Sequence, residues 1–317
     1  SFGVPVMGGG GIPAVPGGII FVDYGIGEDG RTLKSNTAQH ALKTLDKAVD
    51  VARTNKFDVI ALVGNATHTL TEMLTVSKNR LIFIGLDGSP GRPYGQAAKV
   101  SLGITTAATD IATVKNTGVS NIFQNIKFMN DNTVDEGIYS FVDGGEYMQM
   151  VNCEVYKSTD MDVTGAAEYV CNGDSPTHYG CTFGSLATAR SGAVIRANVL
   201  MTKGVAGAGK VARDVLFQGC DFWINASNTA NRFIYGANAT DIERVMKIKD
   251  CDFINNGASA AVPAQNVAFG ASLTVGSVLL KNCSSINAGT AMSTTTGVFV
   301  DGGPPTAATT GISVQAA

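Results

Sequence analysis

The apolar and polar positions of the chain are organised around one recurring phrase. It runs apolar-x-apolar, then Asn, Gly or Asp, then Cys, then x and a further apolar residue. It reads Met150-Val151-Asn152-Cys153-Glu154-Val155, Tyr179-Gly180-Cys181-Thr182-Phe183 and Phe217-Gln218-Gly219-Cys220-Asp221-Phe222. It returns as Ile248-Lys249-Asp250-Cys251-Asp252-Phe253 and Leu280-Lys281-Asn282-Cys283-Ser284-Ser285-Ile286. An earlier copy carries Ile in the Cys slot, Phe123-Gln124-Asn125-Ile126-Lys127-Phe128, and the slot then steps by 27, 28, 39, 31 and 32 residues. Self-similarity at ~20–50 residues marks a repeat architecture, and the alternation inside each copy is strand periodicity. A strand every ~30 residues with Gly- and Asn-rich connections predicts a coil of parallel strands whose equivalent residues stack about 4.8 Å apart. The slot at Cys153, Cys181, Cys220, Cys251 and Cys283 becomes an internal ladder. Asn, Gly or Asp before it suits a bend with positive φ.

Elsewhere the pattern divides the chain into four pieces. Residues 1–18 are a Gly- and Pro-rich extended arm with no periodicity, and its apolar Phe2, Val4, Val6, Met7 and Ile12 call for cover from a neighbouring subunit or partner. Residues 19–57 hold a first strand, Ile19-Ile20-Phe21-Val22, and one helix. Asn36 with Gln39 resembles a capping box. Ala38, Ala41, Leu42, Leu45, Ala48, Val49 and Ala52 recur at helical spacing, and Asn55 is a stop. Such a helix would close the open end of the coil, whose strand edges are otherwise bare. Residues 58–302 form the coil, with room for a longer loop or extra strands at 185–210. From Gly303-Pro304-Pro305 the repeat is lost, and 303–317 is expected to leave the coil as a tail, with Ile312 and Val314 able to cap it or reach a neighbour.

The stretch at 58–86, reading DVIALVGNATHTLTEMLTVSKNRLIFIGL, is where a family likeness is plainest. Together with the helix before it, it resembles the opening of pectate-lyase-like right-handed parallel β-helices. More narrowly, the chain resembles small β-helix virion proteins of tailed bacteriophages. Those carry a "GDxIxVxPGxxET" phrase, an "IIGLGxGxxRP" phrase and later "NIxF" and "NCxF" rungs. The matching pieces are residues 58–65, residues 82–93 with Arg92-Pro93, Asn125-Ile126-Lys127-Phe128 and the Cys slots. The likeness covers about residues 20–290. It implies an all-β protein, a single right-handed parallel β-helix with an N-terminal capping α-helix.

Composition narrows the function classes. With 44% hydrophobic and 15% charged residues the chain is packed, not disordered. A net charge of −3 and the lack of a basic run argue against nucleic acid as partner. No apolar run reaches the ~20 residues of a membrane span. Ser1-Phe2-Gly3-Val4-Pro5 lacks the basic segment of a secretory signal. We expect Ser1 to follow a removed initiator Met, and the protein to be made in the cytoplasm of a bacterial host. The five slot cysteines and Cys171 are then expected as buried, reduced thiols. No paired Cys or His spacing calls for zinc, and no cofactor is expected.

Gly204-Val205-Ala206-Gly207-Ala208-Gly209-Lys210-Val211 nearly spells a phosphate loop. Val211 replaces the required hydroxyl and a strand follows, so a flexible Gly loop is the better reading. Three close carboxylate pairs, Asp160/Asp162, Asp241/Glu243 and Asp250/Asp252, have the i, i+2 spacing that puts both on one strand face. Such a pair could flank a sugar, but Glu154, Asp221 and Asp252 beside Cys slots read as the solvated face of the coil. No catalytic residue is assigned. His40 falls on the expected helix, while His68 and His178 fall in turn-like contexts and read as structural. Trp223 and the tyrosines can stack on sugars, though Trp223 beside Phe222 reads as packing or interface. The sequons Asn65-Ala66-Thr67 and Asn225-Ala226-Ser227 mean little without secretion.

The expected function is structural: a non-enzymatic bacteriophage virion protein decorating or cementing the capsid surface. Its expected partners are further copies of itself, a trimer being favoured, and other virion proteins such as the major capsid protein. The alternative is a tail spike or fibre that binds or depolymerises host surface glycan. A free polysaccharide lyase ranks third.

Overall fold

The computed structural model describes residues 17–64, 66–86, 98–103, 107, 109, 111–133, 137–159, 163–226, 228–257, 263, 265–288 and 292–301, together with the backbone of Ile312–Val314. The arm residues Phe2, Val4, Val6, Met7 and Ile12, as well as Asp160 and Asp162, lie outside the described residues. The fold is a single right-handed parallel β-helix with one α-helix at its N-terminal end. Each turn lays a strand into three sheets, which gather ten, nine and seven strands; we number them first, second and third in the order the chain visits them. In one turn, Gln149–Val151 lies in the first sheet, Glu154–Lys157 in the second and Ala167–Cys171 in the third. Neighbouring turns pair in register, so Met150 faces Phe123 on one side and His178 on the other.

Two corners set the cross-section. Between the first and second sheets stand Asn125, Asn152, Gly180, Gly219, Asp250 and Asn282, with φ of 56, 50, 57, 61, 53 and 51°. This left-handed conformation is open to Gly and tolerated by Asn and Asp. The bend keeps the ladder unbroken, since the N–H of Asn152 donates to Tyr179 O (2.9 Å) and that of Gly219 to Lys249 O (3.0 Å). Each slot cysteine follows its corner, is buried and unbridged, and donates its thiol to the carbonyl two residues back, as Cys153 does to Val151 O (3.4 Å). A second left-handed corner, between the third and first sheets, carries Arg80, Ser120, Tyr147 and Ser175, with φ of 57, 57, 54 and 56°, and on the next two turns Asp214 and Arg244, with φ of 46 and 62°, take the same conformation at a bulge inside the first-sheet strands. Its residue types give no composition signal, and backbone bonds such as Tyr147 N–H to Asp174 O (2.7 Å) hold it.

The interior is a column of stacked rings. Phe83 stacks on Phe123 (4.8 Å), Phe222 on Phe253 (4.9 Å) and His178 on Phe217 (4.3 Å). His68 and His178, expected in turns, sit in strands and are buried among core side chains.

The helix is shorter than its apolar spacing predicts. It covers only Leu45–Val51, capped by Thr44, whose hydroxyl accepts from Lys47 N–H (3.3 Å). Asn36 is not part of a capping box. Its amide closes on the backbone of Phe21, accepting from the N–H (2.7 Å) and donating to the O (2.9 Å). Leu42 bridges to Val22, Ala38 and Gln39 are exposed, and His40 lies outside the helix. Tertiary contacts at Asn36 and Leu42, with a tight turn closed by Thr37 and His40 between them, thus keep residues 36–43 out of the helix against their helical pattern. The helix buries Leu45, Ala48 and Val49 against the first turn. At the other end, residues 302–311 lie outside the described residues, and Ile312–Val314 takes the capping place left open for it in the sequence. It pairs antiparallel with Ser284–Ile286 and extends the second sheet.

Candidate functional site

On the second sheet, alternate residues face outward. The first outward column after the Cys corner runs Lys99, Lys127, Glu154, Thr182, Asp221, Asp252 and Ser284, in register from turn to turn. Two residues further along each strand a second outward column holds Tyr156, Gly184 and Trp223 on consecutive turns. Gly184 leaves a slot one turn wide between two aromatic side chains. Its φ is +97°, and a Cβ there would come within 2.0 Å of Trp223 O and of Asn198 Nδ2. The register with the next strand shifts between Gly184 and Ala189, so the residues between them leave the ladder. Ser185, Leu186 and Ala187 thereby form a lip. The result is a groove of about 250 Å³ lined by Lys127, Glu154, Tyr156, Thr182, Gly184, the lip and Trp223.

The polar groups of the groove are fixed. Lys127 Nζ bonds Glu154 Oε2 at 2.8 Å and lies 4.7 Å over the centre of the Tyr156 ring. Burial opposes the charge of Lys127, but the hydrogen bond and charge of Glu154 outweigh it and hold the amine protonated. Tyr156 is anchored by its hydroxyl on Met129 Sδ (2.7 Å). Thr182 Oγ1 is buried and has no hydrogen-bond partner among the described residues, an arrangement that costs ~1–3 kcal/mol unless a ligand or water satisfies it. One turn beyond Thr182, Asp221 and Asp252 stand side by side. Burial and the Asp252 charge push Asp221 up to about 6. Ser284 Oγ donates to Asp252.

Behind the lip lies a buried ionic cluster. Arg190 pairs with Glu168, and Asn198 donates to Glu168 Oε2 (3.4 Å) and to Trp223 O (2.9 Å). Lys157 donates to Gly137 O (3.2 Å), and burial lowers its amine to about 8. The cavity among these residues is about 20 Å³, room for a water and no substrate. The cluster's role is to brace the backbone that carries Trp223.

The carboxylate pairs singled out in the sequence behave differently. Asp250 is at the left-handed corner, bonded by Asn282 Nδ2 (2.7 Å), so it does not share a strand face with Asp252. Asp241 is buried as a turn acceptor for Asn238 N–H (2.8 Å), and Glu243 is held by Arg213 (2.6 Å). The pair that forms is Asp221 with Asp252, which are neighbours across turns. The slot cysteines are sealed in the core, where burial pushes the Cys153 thiol up to about 12, so they offer no accessible nucleophile. Trp223 is not packed inward but lines the groove. Tyr156, Gly184 and Trp223 were legible in one respect, since each lies three residues after a slot cysteine. Among the described residues, no group of three or more His, Cys, Asp or Glu side chains gathers as for a metal ion.

No family model and no curated protein sequence matches the chain. Its coil is similar to solved structures. One is the pectate lyase Pel9A, with a TM-score of 0.56 and 12% identity over 84% of this chain and 62% of the lyase. The fold is pectate-lyase-like. Another is the pectin methylesterase from Aspergillus niger, with a TM-score of 0.51 and 12% identity over 90% of each chain. The chain thus spans less than two thirds of the lyase's length, and identity this low carries the β-helix fold alone.

Proposed function

We propose that this β-helix is a glycan-binding protein of a bacteriophage virion, a tail spike or fibre that grips host-surface polysaccharide in the groove between Tyr156 and Trp223. The observation that carries the reading is the glycine slot between two outward aromatics, with the polar Glu154 and Thr182 alongside. A sugar ring has an apolar face for stacking and hydroxyls at its rim for hydrogen bonding, and this groove offers both kinds of surface. The pectate lyase and the pectin methylesterase are named for a polysaccharide, which supports a glycan as the ligand of this fold. Decoration of the capsid, alongside the major capsid protein, is the second reading. It is favoured by the unpatterned apolar arm with Phe2, Val4, Val6, Met7 and Ile12, which suits gripping a neighbour.

The test is an array of defined oligosaccharides probed with the wild-type protein, Trp223→Ala and Tyr156→Ala. The expected outcome is binding to a restricted set, weakened about tenfold or more in each variant, or ~1.4 kcal/mol. Undiminished binding by both variants would place the glycan elsewhere. No binding to any oligosaccharide would return the capsid reading to first place. We also expect no reducing sugar or unsaturated product from host polysaccharide. Release that disappears in Asp221→Asn with Asp252→Asn would make the aspartate pair catalytic.

A further inference from the structure

The first sheet ends differently at its two ends. At the N-terminal end the outer edge of Ile19–Val22 is occupied. Leu42 N–H donates to Phe21 O (2.9 Å), Asp23 N–H donates to Leu42 O (2.8 Å), and the Asn36 amide closes on the Phe21 backbone. At the C-terminal end Val298–Val300 pairs with Gly276–Lys281 on one side, and among the described residues no strand pairs with its other side. Val278 N–H donates to Gly297 O (3.0 Å) and Asp301 N–H to Leu280 O (2.9 Å), which fixes how the last strand is turned. Successive residues of a strand direct their backbone groups to opposite edges. Gly297, Phe299 and Asp301 therefore face the inner neighbour, while Val298 and Val300 face the open edge. Val298 N–H is turned back to Thr295 O (3.2 Å), so the edge offers the C=O of Val298 and both groups of Val300. The side chains here are apolar and incompletely covered. Val298, Val300 and Leu273 are only partly buried against the core, and Val275 and Phe299 are exposed. An open strand edge beside a half-covered core is a site for strand addition.

We infer that residues 2–6 of a second copy of the chain add to this edge as an antiparallel strand and so join copies head to tail. As a whole the arm has no period, but Phe2-Gly3-Val4-Pro5-Val6 alternates, so an extended backbone puts Phe2, Val4 and Val6 on one face. In an antiparallel pair, residues directly opposite each other exchange both backbone bonds. With Val4 opposite Val300 and Val6 opposite Val298, the three apolar side chains continue the inward column and cover the end of the core. Pro5 then faces the outer edge, where its missing N–H forfeits no bond and stops a further strand. Antiparallel addition already occurs at this end of the coil, where Ile312–Val314 pairs with Ser284–Ile286. The chain's own arm is too short to serve. From Gly17 back to Val6 it spans at most about 40 Å. A strand added beyond the ten of the first sheet lies about 48 Å from Ile19–Val22. The donor is therefore another copy, and because each copy gives one strand and receives one, the contact closes into a ring or runs on as an open chain. The inference is independent of the glycan groove.

The experiment uses full-length chains, with circular dichroism to establish that each is folded. In sedimentation the wild type should run as an oligomer and Val4→Asp as a single chain. Ile12→Asp, outside the alternating stretch, should run as the wild type does. A second measurement locates the contact. Residues opposite each other in an antiparallel hydrogen-bonded pair have Cα atoms about 5.5 Å apart, within the span of a disulfide. Val4→Cys and Val300→Cys chains are mixed and oxidised with glutathione disulfide. A disulfide-linked pair of chains should form in the mixture and not in either variant alone. Val4→Asp decides whether or not Val300→Cys folds. A wild type that sediments as a single chain, or an oligomer that survives Val4→Asp, would overturn the inference. So would a mixture of folded variants that does not link. A chain carrying both cysteines that links to itself when dilute would also overturn it, by showing that the arm seats on its own coil.

Discussion

His178 occupies the inward column of the first sheet between Met150 and Phe217, stacked on the latter, and its Nε2 lies 2.9 Å from the hydroxyl of Tyr169. That hydroxyl in turn reaches Asp143 Oδ2 at 3.4 Å. Burial drives His178 down from 6.5 to about 4 and Asp143 up from 3.8 to about 6. The two shifts act on stability with opposite signs. For His178 the unfolded chain binds more protons, so stability is present above pH 6.5 and is lost as pH falls toward 4. For Asp143 the folded chain binds more protons, so stability is present below pH 3.8 and is lost as pH rises toward 6. Each contribution is about 3 kcal/mol at ~1.36 kcal/mol per pKa unit, and between pH 6 and 4 they offset. We predict that His178→Phe, which keeps the ring stack, uncovers the aspartate: its urea midpoint, measured relative to the wild type's, should rise as pH falls from 6 to 4. Asp143→Asn should show the reverse slope. At Cys220, Ser should cost ~1–3 kcal/mol by burying a stronger polar group in a thiol's place, and Ala should cost less because only a small cavity forms. The slot cysteines were easy to find because period and residue type coincide. His178 was misplaced in a turn because the Thr177–Tyr179 strand is three residues long and Pro176 stands just before it.

At the scale of elements, the same bend is built in two ways. The corner before the Cys slot announces itself in sequence because Asn, Gly or Asp takes the left-handed position at every turn. The other corner holds Arg80, Ser120, Tyr147 and Ser175 in the same conformation through hydrogen bonds to neighbouring turns, which no local pattern reveals. The helix boundary was misjudged for a similar reason: residues 36–43 have helical spacing, but Asn36 and Leu42 are committed to the first strand. The first corner's logic predicts that Asn152→Ala costs about 1–2 kcal/mol and Asn152→Gly almost nothing, read as melting temperature. Gly184→Ala is harsher, since the new Cβ meets backbone at Trp223 O, and it should cost at least about 2 kcal/mol. The groove escaped sequence reading because its floor is a missing side chain and its lip a register shift. Three of its residues nonetheless stand at one fixed distance from the cysteines.

At the scale of the molecule, the coil is long and its two ends are treated differently. The N-terminal end is closed by Leu45–Val51 and by Gly18, whose N–H donates to Asp58 Oδ1 (2.7 Å). Asp58 is also held by Arg53 at 2.7 Å. At the C-terminal end Ile312–Val314 covers the second sheet, while Phe299 in the last strand of the first sheet is 60% exposed. The coil's own closure thus begins at Gly18. We propose that the preceding arm joins copies of the chain, and predict that a chain starting at Gly18 keeps its β-rich circular dichroism and melting temperature but sediments as a smaller species than the full chain. An unchanged oligomer, measured by sedimentation, would shift the assembly contact to the C-terminal end. The central claim, that the slot between Tyr156 and Trp223 holds glycan, has a built-in reporter, because Trp223 is the single tryptophan of the chain. Its emission should be followed while the tetramers of glucosamine, N-acetylglucosamine and galacturonic acid are titrated in. The account predicts a saturable blue shift with at least one of them, lost in Tyr156→Ala. Emission that stays constant while calorimetry records binding would contradict it.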